Sequence, residues 1–226
     1  MALSIRILAT FLIGSLFFVV FPILAWGVLD INGFISNTAR LSYLLTACAL
    51  NAFAAFRIPE VGKKSPGHKV RSDRQHLTVV LLQAITTTMV LVLPYCDRHE
   101  LGVFAESPAI RFPGLLLYSF GFLVMHFAQS YLGDQFSVEV GVREGHRLVT
   151  DGPYKIIRHP RYLGIILFVI GIAMVFRSWL GVLIAVATIV VLLWRMRDEE
   201  ALMHQEFGLE WERYARRTHR LIPHLW

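Results

Sequence analysis

Long apolar stretches alternate with short polar segments along the whole chain. Four stretches contain no formally charged residue: 7–29, 41–56, 77–96 and 112–132. A helix needs about 20 mostly apolar residues to cross the hydrocarbon core of a bilayer, so each stretch is a candidate membrane helix. The pattern predicts an all-α, polytopic integral membrane protein.

A fifth apolar stretch, 163–194, is interrupted only by Arg177. As one helix it would extend about 48 Å, well beyond the ~30 Å hydrocarbon core. It would also leave Arg177 near mid-membrane, at a cost of about 2.5–3.5 kcal/mol. A break at Arg177-Ser178-Trp179 removes both problems. It predicts a C-terminal helical hairpin, with Arg177 and Trp179 anchoring its tip at the interface, and about six membrane helices in all.

The composition, 55% hydrophobic and 17% charged, excludes an ordinary soluble domain and a disordered chain. The net charge of +6 would suit nucleic acid, but the basic residues concentrate in the loop 57–76 and in the tail after Trp194. Segments 30–40 and 97–111 are nearly balanced. This is the positive-inside distribution, so we expect both termini in the cytoplasm. The predicted partners are membrane lipids, through anionic headgroups, and not nucleic acid.

The rest of the chain indicates one domain. The apolar run after Arg6 is longer than the core of a signal peptide, which predicts a retained first helix. Cys48 and Cys96 fit neither a disulfide framework nor a metal-ligand spacing, so no metal is expected. Without repeats or linkers, residues 1–226 are interpreted as a single integral-membrane domain, with N-terminal helices over 1–132 and a second half over 133–226.

A polar cassette, residues 146–162, lies directly before the hairpin and is rich in His, Arg, Tyr and Pro. Pro153 and Pro160 break helices, and irregular backbone near a membrane is tolerated only inside protein or around a cavity. Gly152 lets the backbone approach a partner closely. These side chains suit a ligand with an aromatic base, a carboxylate and hydroxyls. Arg, His and Tyr also anchor loops among headgroups, and the residues alone leave both interpretations open.

A second polar feature lies at the end of the last apolar stretch, where Arg195 and Glu199 share a helix face. The plain interpretation is a surface ion pair worth at most about 0.5 kcal/mol. The predicted hairpin nevertheless returns this helix end to the cassette, because Tyr162 and Trp194 begin and end the same excursion. The tail is expected to form an amphipathic helix with an apolar stripe against the headgroups, made by Leu202, Phe207, Trp211 and Tyr214.

Taken together, these motifs closely resemble the isoprenylcysteine carboxyl methyltransferase family. The resemblance covers about residues 130–223, and the related phospholipid N-methyltransferases share the paired glutamates. The first 110 residues match only in being transmembrane. The motifs are Leu132-Gly133-Asp134-Gln135-Phe136-Ser137, His146-Arg147-Leu148-Val149-Thr150-Asp151-Gly152-Pro153-Tyr154, Arg158-His159-Pro160-Arg161-Tyr162-Leu163-Gly164, Glu199-Glu200, Phe207-Gly208 and Tyr214.

The resemblance implies a membrane methyltransferase that uses S-adenosyl-L-methionine, with residues 133–226 as its cofactor-binding half. The implied cofactor-binding residues are His146, Arg147, Leu148, Val149, Tyr154, His159, Pro160, Arg161, Tyr162 and Glu199. Arg195 is implied to face a lipophilic methyl acceptor, as the catalytic and substrate-binding residue. The acceptor expected first is the carboxylate of an isoprenylcysteine-like substrate.

The acceptor decides whether a base is needed. A carboxylate is already nucleophilic at neutral pH, whereas a phospholipid amine or a thiol requires a base, for which His159 or Glu200 are candidates. His126 and Gln129 share a face of the fourth stretch and either line the acceptor cavity or hydrogen-bond between helices. Two other classes stay open on the sequence: a non-catalytic membrane scaffold and a sterol-reductase-like enzyme that binds NADPH.

Overall fold

The computed structural model is a bundle of helices, which confirms the all-α class. The structure describes residues 2–57, 69–70, 73–104, 107–133, 141–142 and 147–223. Within these ranges two short strands, β1 (Lys69–Val70) and β2 (Gly141–Val142), pair antiparallel. The α-helices are α1 (Ala2–Ser15), α2 (Phe21–Trp26), α3 (Ile31–Ile35), α4 (Thr38–Arg57), α5 (Asp73–Arg98), α6 (Arg111–Leu132), α7 (Pro160–Val175), α8 (Trp179–Phe207) and α9 (Leu209–Arg217).

The helices give a polytopic membrane protein, as predicted. In the described residues five spans are long and apolar enough to cross a bilayer: Ile5–Trp26, Thr38–Phe56, Leu77–Arg98, Pro108–Leu132 and Trp179–Phe207. Helix α7 is also apolar but, at 16 residues, is shorter than these five spans. In the first span a π-helical turn joins α1 to α2. Pro22 lies just after this turn, and it has no N–H to donate to the carbonyl of Phe18.

Helices α6 and α7 pack backbone to backbone along four glycines. A Cβ atom on Gly121 would lie 2.6 Å from the carbonyl oxygen of Gly164, and one on Gly171 would lie 2.7 Å from that of Gly114. Lipid tails are as apolar as leucine side chains, so close packing of small residues is what holds membrane helices together. This seam fixes the start of α7, and with it the end of the cassette, against α6.

The predicted hairpin is confirmed at the predicted position. Helix α7 ends at Val175 and α8 begins at Trp179. The Ser178 hydroxyl caps α8 by accepting a hydrogen bond from the amide of Gly181 at 3.2 Å. The loop that follows α5 contacts the hairpin tip, where the amide of Trp179 donates to the carbonyl of Gly102 at 2.8 Å.

The interfacial role predicted for Arg177 is wrong, since its side chain is buried in an ion-pair network. The carboxylate of Asp97 accepts hydrogen bonds from three guanidinium groups: Arg111 (2.8 Å to each oxygen), Arg177 (3.1 and 3.2 Å) and Arg40 (3.2 Å). We call these four residues the far-end clasp. Their contacts join the end of α5 to the starts of α4 and α6 and to the hairpin turn. A buried charge without a partner is strongly destabilising, so these ion pairs hold the four segments together. Trp179 is exposed beside them.

The tail forms an amphipathic helix, but its apolar stripe does not face outward. Leu202, Trp211 and Tyr214 are all buried against the rest of the protein. The Tyr214 hydroxyl donates to the main-chain carbonyl of Tyr154 at 2.8 Å. The predicted contact of this stripe with headgroups is therefore wrong, and α9 packs on the cassette instead.

Candidate active site

The structure describes the cassette from residue 147 onward. His146 lies outside the described residues. Arg147 is exposed, while Leu148 and Val149 are half-buried. The cofactor-binding roles of these residues stay predictions.

A single helical turn, Gly152–Lys155, presses the cassette against the end of α6. Gly152 has a φ of +56°, and a Cβ atom there would lie 2.2 Å from the ring of Tyr131. Only glycine accepts both the conformation and the contact. The close approach expected at Gly152 is thus made to Tyr131 within the protein.

Tyr154 follows this turn with its side chain buried. Burial, and then the nearby charge of Glu199, raise the pKa of the Tyr154 hydroxyl, while the charge of Arg161 opposes this. The phenol therefore keeps its proton and remains a hydrogen-bond donor. Two other predicted site residues, Arg161 and Glu199, thus influence the Tyr154 hydroxyl through their charges.

His159 and Pro160 begin α7 and are both buried. The imidazole of His159 stacks on the ring of Tyr162, with centroids 5.3 Å apart and planes 8° from parallel. Its Nε2 lies 3.2 Å from Oε1 of Glu200. His159 is consequently held on two sides by protein groups, which fixes the orientation of its ring.

The hydroxyl of Tyr162 joins the two residues that the sequence singled out on α8. It accepts a hydrogen bond from Nε of Arg195 at 2.8 Å and donates one to Oε2 of Glu199 at 2.5 Å. Arg195 is only 4% exposed. Interpreting Arg195 and Glu199 as a surface ion pair is therefore wrong: they meet α7 in the interior.

The two adjacent glutamates differ in what they contact. Glu200 accepts from Arg158 at 3.1 Å through Oε1 and from Arg220 at 2.8 and 2.5 Å through Oε2, besides its contact with His159. Glu199 is half-buried and accepts from Tyr162 through Oε2. No described residue donates to its Oε1. Among the described residues Oε1 of Glu199 is therefore left as an acceptor, whereas both oxygens of Glu200 accept from protein groups.

Sequence reasoning missed the segment that Glu200 holds, which we call the C-terminal strap, residues 218–221. It runs along the cassette: the amide of Arg158 donates to the carbonyl of His219 at 2.8 Å, and that of His159 donates to Arg220 at 3.1 Å. The sequence did contain a hint of this contact, because the Glu200 carboxylate is available to pair with cations of the cassette and the tail. These cations are far apart in the sequence, so the sequence did not indicate which of them pair with Glu200.

His126 and Gln129 are half-buried on α6. Nδ1 of His126 lies 2.9 Å from the carbonyl of Phe122 in its own helix, and its ring stacks on that of Phe122. Their predicted role at an acceptor cavity stays a prediction.

The described geometry connects four groups through the Tyr162 side chain. They are the buried guanidinium of Arg195, the carboxylate of Glu199, the phenol of Tyr162 and the imidazole of His159. The carboxylate suits a ligand that donates from hydroxyl or ammonium groups, and the guanidinium suits an anion. Such a site can align a cationic ligand and an anionic one side by side.

Sequence comparison finds a family that is similar to the part of the chain containing the site. Residues 114–205 match the family model of the isoprenylcysteine carboxyl methyltransferase (ICMT) family. This range begins at the first glycine of the α6–α7 seam and ends just beyond Glu200, so it contains both sides of the site. Over this region the chain is similar to the ICMT family, in agreement with the resemblance predicted from the motifs.

Individual relatives align with the same part of the chain. A probable protein-S-isoprenylcysteine O-methyltransferase of Oryza sativa subsp. indica is 26% identical over 121 residues, 50% of this chain and 61% of that protein. The protein-S-isoprenylcysteine O-methyltransferase of Schizosaccharomyces pombe is 33% identical over 98 residues, 40% of each. The B form from Arabidopsis thaliana is 31% identical over 117 residues, 49% of this chain and 57% of that protein. Each match covers less than two thirds of the relative.

Proposed function

We propose that the protein is an S-adenosyl-L-methionine-dependent membrane methyltransferase. Its acceptor is the carboxylate of a lipophilic, isoprenylcysteine-like substrate, which it converts to a methyl ester. The observation that carries this proposal is the chain of hydrogen bonds from the buried Arg195 through the Tyr162 hydroxyl to the half-buried Glu199. It connects a cation suited to the acceptor with a carboxylate suited to the cofactor, inside the region matched by the family.

The residues present fit S-adenosyl-L-methionine. Oε1 of Glu199 can accept from a ribose hydroxyl or from the ammonium group, and the buried ring of Tyr154 offers an apolar face for adenine. Arg161, near both, suits the carboxylate of the cofactor. When bound, the cofactor supplies an electrophilic methyl group on its sulfonium centre. The negative charge of Glu199 favours a cationic cofactor in this neighbourhood.

Arg195 orients the acceptor in this proposal. A guanidinium pairs with a carboxylate through two parallel hydrogen bonds, which sets the direction of its lone pairs. No proton has to be removed, so the protein contributes alignment, worth about 7–11 kcal/mol at best, and exclusion of water. The occupied state of Glu200 favours this acceptor over an amine or a thiol, since those would need a base.

The decisive experiment measures the product. Purified protein in lipid nanodiscs is incubated with methyl-labelled S-adenosyl-L-methionine and an N-acetylated S-farnesylcysteine. We expect label in a base-labile methyl ester of the acceptor. Base-stable label, or label in the nanodisc phospholipid instead, would show N- or S-methylation and contradict the proposed acceptor.

We further propose that the site opens to the cytoplasm, with both termini on that side. The support is the charge distribution of the loops and tail. In a background where Cys48 and Cys96 are replaced by alanine, a cysteine at the exposed Asp151 should react from the cytoplasmic side only. A cysteine at the exposed Leu101, near the far-end clasp, is the matched control and should react from the opposite side. The reverse pattern would contradict this topology.

A further inference from the structure

A residue outside the family-matched region reaches the site. Thr78 lies near the start of α5 and is 2% exposed. Its hydroxyl oxygen accepts a hydrogen bond from Nη1 of Arg195 at 3.2 Å. The family match begins only at residue 114, so this contact connects the divergent N-terminal half with Arg195.

The contact fixes a degree of freedom that Tyr162 leaves open. Tyr162 holds Nε of Arg195 from α7, and Thr78 holds Nη1 from α5. Two contacts at different nitrogens define the plane of a guanidinium, whereas one lets the group rotate about that contact. Both partners are hydroxyls, so they orient the guanidinium without adding a countercharge.

We propose that Thr78 is a positioning residue for Arg195, through which the N-terminal helices set the geometry of acceptor binding. This inference rests on the proposed function, because it assigns Arg195 to the acceptor carboxylate. Productive sites hold their groups within about 0.5 Å and 10–20°, so losing the restraint from Thr78 weakens acceptor alignment by Arg195. Cofactor contacts through Glu199 and Tyr154 are left in place.

The test compares Thr78→Val with Thr78→Ser. Valine keeps the shape of threonine without its hydroxyl, whereas serine keeps the hydroxyl. Binding of the N-acetylated S-farnesylcysteine is measured by calorimetry in the presence of S-adenosylhomocysteine, so the readout does not depend on turnover. We expect Thr78→Val to weaken acceptor binding roughly tenfold or more, as for a lost hydrogen bond to a charged group, and Thr78→Ser to restore it. Binding of S-adenosylhomocysteine itself should be unchanged.

Thr87→Val is the matched control on the same helix. The Thr87 hydroxyl donates to the carbonyl of Gln83 at 2.8 Å, so its loss stays within α5. A double variant, Thr78→Val with Arg195→Ala, should bind the acceptor no more weakly than Arg195→Ala alone, because Thr78 acts through Arg195.

The outcomes separate this inference from the proposed function. Normal acceptor binding in Thr78→Val, with binding lost in Arg195→Ala, would overturn the role of Thr78 and keep that of Arg195. Additive effects in the double variant, or equal loss of S-adenosylhomocysteine binding in Thr78→Val, would also overturn it, because either shows a general structural role. Normal acceptor binding in Arg195→Ala would instead contradict the proposed function.

Discussion

Arginines are buried at both ends of the bundle, but their described partners differ in kind. In the far-end clasp, Asp97 supplies a carboxylate to three guanidinium groups, and carbonyl oxygens add to it. Arg40 also donates to Gly33 at 2.8 Å, and Arg111 to Val175 at 2.5 Å. At the site end, Arg195 meets the hydroxyls of Tyr162 and Thr78.

This difference separates a structural cluster from a candidate site. The clasp gives its three cations one shared carboxylate and carbonyls near helix C-termini, where the helix dipole is negative. At the site end, two of the groups that orient Arg195 are neutral hydroxyls, and Oε1 of Glu199 has no donor among the described residues. Burial of a charge is therefore a weak sign of function, and the chemistry of its partners is a better one.

The largest effect is expected from breaking the clasp with Asp97→Asn. Three buried guanidinium groups would lose their shared carboxylate, and removing one partner of a buried pair costs about 3–5 kcal/mol. Thermal unfolding in detergent should show a large loss of stability. Asp30→Asn is the control, since Asp30 pairs with Arg98 at 3.5 Å with its side chain 42% exposed. Its cost should be about 1 kcal/mol or less. Equal stability of the two variants would refute the structural role of the clasp.

Arg195→Ala should reduce methyl transfer, unlike a change in the clasp, which is expected to reduce stability. Truncating a buried, hydrogen-bonded charge that contacts substrate costs about 2–5 kcal/mol, so the rate of methyl transfer should fall by roughly two orders of magnitude. S-adenosylhomocysteine binding should be nearly unchanged, because the proposed function assigns Arg195 to the acceptor. Arg197→Ala, at an exposed position on the same helix, should retain activity. Normal turnover by the Arg195→Ala variant would show that Arg195, like the arginines of the clasp, has only a structural role.

Glu199→Ala should weaken cofactor binding with little loss of stability. Removing a charge-assisted hydrogen bond costs about 1.5–3 kcal/mol, which raises the dissociation constant by one to two decades. Glu200→Gln is the informative neighbour, because it releases Arg158 and Arg220 and should lower the unfolding temperature instead. Calorimetry and thermal unfolding on both variants measure the contrast. The same profile for both variants would show that Glu199 does not bind the cofactor.

His159→Ala is expected to have the smallest effect of the four. It removes the ring that stacks on Tyr162 and the contact with Glu200, while α7 keeps its start at Pro160. Cofactor affinity should fall, and circular dichroism should show unchanged helix content. Unchanged affinity in a folded variant would remove His159 from the cofactor site and leave it as a structural contact.

Much of the fold could be predicted because its signals are local. Apolar length identified the spans, and one arginine in residues 163–194 located the hairpin turn to within a residue. Local contacts of this kind include the hydroxyls of Thr86 and Thr87, which donate to the carbonyls of Leu82 and Gln83 one turn earlier in α5. The glycine seam of α6 and α7 was not predicted, although its glycines lie seven residues apart on each helix. The spacing of glycines on one helix does not indicate which other helix packs against them.

The sequence by itself determined the class of the protein, its membrane helices and the candidate residues on both sides of the site. These follow from hydrophobic length, charge placement and motif order, which are properties of neighbouring residues. Only the tertiary structure decided what each charged side chain contacts. Arg177 was expected among headgroups and instead meets Asp97, 80 positions away. Glu199 and Glu200 are chemically identical neighbours, yet one faces Tyr162 and the other the C-terminal strap. Consecutive helical residues point about 100° apart, so their partners depend on which elements pack on each face.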